Sequence, residues 1–90
     1  MPKEAPRAVR TRAPKIDQVL AKAVDVARQS AEALAYPRPI GEHLGFTMDA
    51  ERLGTHWFAS SDPGYVGWAW AVTLARVARS RTATVCEVDM

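Results

Sequence analysis

The stretch Gly41-Glu42-His43-Leu44-Gly45-Phe46-Thr47-Met48 decides the fold. Leu44, Phe46 and Met48 alternate with His43, Gly45 and Thr47, a period of two that belongs to a half-buried strand. Asp49-Ala50-Glu51-Arg52 follows as a hairpin loop, and Leu53 to Ala59 reads as the returning strand. With Met48 placed opposite Leu53, Leu44 meets Trp57, Phe46 meets Thr55, His43 meets Phe58 and His56 meets Gly45. This register sets His43 and His56 diagonally on one face.

Working toward the C-terminus, Ser60-Ser61-Asp62-Pro63-Gly64 is predicted to be a turn of type II, with proline at the first corner and glycine at positive φ. Gly67 closes that loop. Trp68, Trp70, Val72 and Leu74 then alternate with alanine and threonine as a third strand, Arg76 to Arg81 reverses the chain, and Thr82 to Asp89 makes a fourth. Pairing Leu74 with Thr84 sets Val72 against Cys86 and Trp70 against Val88. The fourth strand has no closing element after it, so we expect a longer protein or a partner covering that edge.

Working toward the N-terminus, Ile16, Val19, Leu20, Ala23, Ala27, Ala31 and Leu34 recur at three- and four-residue steps, which predicts one amphipathic helix over 16–35. Asp17 suits its first turn, and Pro37 ends it. Tyr36-Pro37-Arg38-Pro39 is a stiff connector. Residues 1–14 hold three prolines among charges, which predicts a disordered basic arm before a single domain over 15–90.

Ninety residues with 48% hydrophobic and 24% charged side chains exclude a wholly disordered chain and allow one modest core. The lone Cys86 excludes an internal disulfide or a multi-cysteine zinc module. No apolar run approaches the roughly 18–20 residues of a membrane span, and the N-terminus lacks a secretory signal's apolar core, so a cytoplasmic protein with no membrane partner is expected. Lys3, Arg7, Arg10, Arg12 and Lys15 face only Glu4 in the first fifteen residues, whereas the remainder is mildly acidic. Such an arm suits phosphate backbones through salt-screened attraction. The excess of arginine over lysine, the absence of asparagine and the scarcity of isoleucine point to a GC-rich bacterial host.

Gly41-Glu42-His43-Leu44-Gly45, Thr55-His56-Trp57-Phe58, the string from Asp62-Pro63-Gly64-Tyr65 through Gly67-Trp68-Ala69-Trp70 to Thr73, and Thr84-Val85-Cys86-Glu87-Val88 together resemble the actinobacterial domain of unknown function 3027 family. The resemblance covers about residues 16–89. It implies an actinobacterial host and a longer protein, and it supplies no activity.

Few residues suggest chemistry. His43 and His56 match no metal-ligand spacing, so structural histidines are expected and no metal or cofactor. Cys86, mid-strand beside Val72, reads as a small buried hydrophobe. No nucleophile elbow and no glycine-rich phosphate loop is present. The rings of Trp57, Trp68, Trp70 and Tyr65 are more suggestive. Tyr65 and Trp68 are the candidate platform on which unpaired bases would stack, and core packing beneath the helix competes for the tryptophans.

The expected fold is α+β, an N-terminal amphipathic helix packed on a four-stranded antiparallel meander sheet. The expected function is a small non-catalytic binding module that docks on a larger, nucleic-acid-containing assembly such as a transcription or ribosome complex. Lys3, Arg7, Arg10, Arg12, Arg76, Arg79 and Arg81 would contact phosphates or an acidic surface. The alternatives are a ligand-binding or enzymatic fragment with a pocket around His43, His56, Asp62 and Tyr65, and a protein-interaction domain that adds a partner strand at the sheet edge.

Overall fold

A computed structural model describes residues 15–90. Two helical segments, α1 (Gln18–Ala21) and α2 (Val24–Ala35), precede four strands. These are β1 (Ile40–Ala50), β2 (Leu53–Ser60), β3 (Ala69–Ala75) and β4 (Thr84–Asp89), with a short 3-10 turn, Pro63–Tyr65, between β2 and β3. The sheet is antiparallel in the order β1-β2-β3-β4. The architecture is the expected α+β meander with the helix N-terminal to the strands. The arm residues Lys3, Arg7, Arg10 and Arg12 lie outside the described residues.

α2 crosses one face of the sheet and touches all four strands, while α1 rests on β2. Ala27 and Ala31 are fully buried against Phe58, Val72 and Leu74, and Leu20 joins them from α1. Alanine at the helix contact lets the backbone approach the sheet closely, so Phe58 fills the space between the layers. Trp70, Val85 and Val88 pack around this core and are partly buried.

The expected single helix is broken. The backbone N–H of Ala23 bonds to Leu20 O at 3.1 Å, a three-residue step. The same carbonyl accepts from His56 Nε2 at 2.7 Å. A side chain has entered the helical ladder, and that is a recognised cause of a kink. Asp17 lies outside the first turn as its N-cap and accepts from the Leu20 N–H at 3.3 Å. Because the helix begins only after Asp17, Ile16 falls off the buried stripe; Leu34 is exposed as well.

The register also departs from the expected one. His43 pairs with Phe58 as anticipated, but Gly45 pairs with Trp57, Phe46 with His56, Thr47 with Thr55 and Met48 with Gly54. An irregularity between His43 and Gly45 inserts one residue, and a bulge reverses the alternation beyond it. His43 and Phe46 thereby both reach the His56 ring, at centroid distances of 5.0 and 4.6 Å. Phe46 thus joins the helix-side layer, away from Trp57, whose indole N–H donates to Thr47 Oγ1 on the opposite face. Gly54 leaves the room Phe46 needs, since a Cβ there would clash with the Phe46 ring.

In the last hairpin Leu74 pairs with Val85 and Val72 with Val88, again through an irregularity. This shift places valines, in place of the anticipated Thr84 and Cys86, beside the core. Cys86 is exposed, and the reading of it as a buried hydrophobe is corrected. The loop after β2 is a 3-10 turn capped by Asp62, so the expected type II turn is also replaced; positive φ falls on Gly67.

The Asp17 carboxylate, almost fully buried, accepts from Arg76 Nε at 2.6 Å. This pair ties the start of α1 to the end of β3. Asp17→Ala removes both the cap and the ion-pair partner, and we expect a loss of about 2–3 kcal/mol in chemical denaturation. Asp17→Asn, which keeps the cap, should lose less; equal losses would refute the division of labour.

Candidate functional site

The chain from Ser60 to Trp68 is a constructed loop. Asp62 Oδ1 accepts from the Gly64 N–H at 2.9 Å, and Tyr65 N–H returns to Asp62 O at 2.9 Å. Trp68 N–H then bonds to Tyr65 O, and Ser60 N–H to Trp68 O, each at 3.0 Å. The loop holds Tyr65 and Trp68 edge to face, ring centroids 5.5 Å apart. Neither ring is used in the core: Tyr65 is 45% exposed and Trp68 is 53% exposed. The two residues expected to form a platform are therefore adjacent and accessible. Trp70, on β3 itself, packs against the core, and Trp57 lies on the far face of the sheet, so the four rings do not form one surface.

Beside the loop is a cavity of about 260 Å³. Leu34, Tyr65, Trp70 and Met90 supply apolar wall, and Arg38, Ser60 and Asp62 also line it. The Arg38–Asp62 ion pair, 3.3 Å, bridges the connector after α2 to the loop. Ser61 Oγ donates to Pro39 O across the same junction. Arg38 and Ser60 were not singled out from the sequence. The only signal was the Pro37-Arg38-Pro39 string, where two flanking prolines restrict how the arginine backbone can move.

The histidines build something different. A carbonyl can only accept, so His56 Nε2 carries the hydrogen that Leu20 O receives. His56 Nδ1 is then bare and accepts from His43 Nε2–H at 2.8 Å. His56 is fully buried, and burial foremost pushes its pKa below the ordinary 6.5, with the neighbouring His43 acting in the same direction against the bond to Leu20. Both of its nitrogens are occupied in holding α1 to β1. Neither histidine lines the cavity that Asp62 and Tyr65 share. Among the described residues, no group of three or more His, Cys, Asp or Glu side chains is gathered as a metal site.

The hairpin arginines divide. Arg76 is held by Asp17 and also donates to Ser80 O at 3.2 Å, so its guanidinium is engaged within the fold. Arg79, at φ 69°, and Arg81 are exposed. They stand beyond the far end of β3 from Trp68, roughly 20 Å away at ~3.3 Å per residue. The aromatic pair and the exposed arginines are thus separate patches. No described helix is long and apolar enough to cross a membrane.

No solved structure matches this chain. It is similar to an uncharacterized protein of Mycobacterium bovis and to uncharacterized proteins of two strains of Mycobacterium tuberculosis, each 37% identical over 70 residues. The match takes in 78% of this chain and 27% of each relative, so the chain spans about a quarter of the length of these curated relatives. A family model described as a protein of unknown function (DUF3027) matches residues 41–90, from the histidine-bearing hairpin through the aromatic loop to the last strand. With more than half of its length matched, the chain belongs to the DUF3027 family.

Proposed function

We propose that this chain is a non-catalytic binding module that docks on a larger assembly containing nucleic acid, such as a transcription or ribosome complex. The observation that carries the reading is the exposed Tyr65–Trp68 pair, held by a chain of backbone hydrogen bonds and contributing nothing to the core. Aromatic faces displayed in this way suit unpaired bases, which stack on them largely regardless of sequence. Arg79 and Arg81 at the far end of β3, with the cations of the N-terminal arm, add phosphate contacts along an extended strand.

Titration of the full chain with a short single-stranded oligonucleotide, followed by fluorescence anisotropy, tests the proposal. Binding should weaken steeply with salt, and Trp68→Ala should reduce affinity about tenfold. Removal of residues 1–15 should flatten the salt dependence. Absence of binding, or binding indifferent to both salt and the deletion, would overturn it.

A further inference from the structure

We propose that the cavity beside Tyr65 receives one unpaired, carbonyl-bearing pyrimidine of the docked strand, an inference that rests on the nucleic-acid reading above. At about 260 Å³ the cavity is smaller than the usual pocket for a drug-sized molecule and is of a size for one flat ring. Its walls are apolar at Leu34 and Trp70.

The hydrogen-bonding state of the lining selects the ligand. Asp62 is drawn into the loop, one oxygen accepting from Gly64 N–H and the other ion-paired with Arg38 Nε. Ser60 Oγ accepts from Asp62 N–H, which leaves its own O–H to give. The Trp70 indole N–H, the Tyr65 hydroxyl and the terminal nitrogens of Arg38 have no acceptor among the described residues. Indole and guanidinium nitrogens can only donate. Outside the Arg38–Asp62 pair, the side chains of the lining that are left to hydrogen-bond a ligand are chiefly donors, and their complement is a flat ring with carbonyl oxygens on its edge. Uracil and cytosine have such oxygens, whereas adenine has none. The Tyr65 ring belongs both to this cavity and to the exposed pair, so a base here and a neighbour on Trp68 are consecutive nucleotides of one strand.

The experiment compares oligouridylate with oligoadenylate of equal length on the full chain, together with the Arg38→Gln and Trp70→Phe variants. Oligouridylate should bind about tenfold more tightly. Arg38→Gln, at an exposed position, should leave the melting temperature unchanged and reduce that ratio several-fold. Trp70→Phe should lower the ratio in the same direction, and Trp68→Ala should weaken both oligonucleotides alike. Equal binding of the two, with the ratio insensitive to Arg38→Gln, would overturn the cavity assignment while leaving the docking function intact. Failure of both oligonucleotides to bind would overturn the docking function and this inference with it.

Discussion

Phe58→Ala should strip the domain of about 3–5 kcal/mol of its stability. The Phe58 ring is fully buried. The Arg28 guanidinium lies 5.0 Å over it, and the His43 ring packs at 5.1 Å. Truncating a buried phenylalanine costs about 3–5 kcal/mol, because the lost transfer energy is joined by the cavity left behind. A domain of this length has a total stability of about 4–12 kcal/mol. The substitution therefore removes a large share of the margin. Urea denaturation followed by circular dichroism should show the midpoint moved to lower urea and the pre-transition baseline shortened. Phe58→Leu, which refills most of the volume, should retain a cooperative transition. A Phe58→Ala protein as stable as the parent would mean that the helix–sheet layer is not the core.

The second large effect is the loss of stability on acidification through His56. Its folded-state pKa lies below 6.5, so the unfolded chain takes up a proton first as the pH falls. The stabilisation is complete above 6.5, and it declines between 6.5 and the lower folded-state value. One proton's difference makes the slope at most about 1.4 kcal/mol per pH unit. The hydrogen-bond chain gives the same sign. A proton on His56 Nδ1 would oppose the His43 Nε2–H that now donates to it. His56→Phe has a similar ring but leaves Leu20 O and the His43 N–H without this partner. It should cost about 2–4 kcal/mol near neutrality, and its stability should vary less with pH in that window. Parallel pH profiles for the two proteins, measured by urea denaturation, would show that His56 is not the titrating group.

How much of this could be read from the residue order differs by element. The strands were visible because their apolar residues alternate, and the α2 contact was visible from the three- and four-residue spacing of Ala23, Ala27 and Ala31. His43 and His56 fell on one face because the pairing of His43 with Phe58 was correct. The side of the sheet taken by Phe46 was missed. A bulge depends on how the hairpin fits under the helix; the alternation of residues 41–48 does not show it, and the one mark is Gly45, a glycine inside the strand at the irregularity. The break after Leu20 was equally hidden, since its cause is an imidazole thirty-six positions away that competes for one carbonyl. Of the candidate site, Tyr65 and Trp68 were legible as rings in a proline–glycine loop. The cavity was not, because Arg38 and Ser60 meet there only when the connector and the loop fold together.

The linear order of residues sufficed for the layer plan of this protein: one alanine-faced helical region, four strands in a meander, and an aromatic loop between the second and third. Those features follow from periodicity and from proline and glycine placement, which act over a few residues. The tertiary structure alone decided the registers, the interruption of the helix, the capture of Arg76 by Asp17 and the lining of the cavity. Each of these depends on groups distant in the chain meeting in a close-packed interior, where a shift of one residue changes which side chain faces the core.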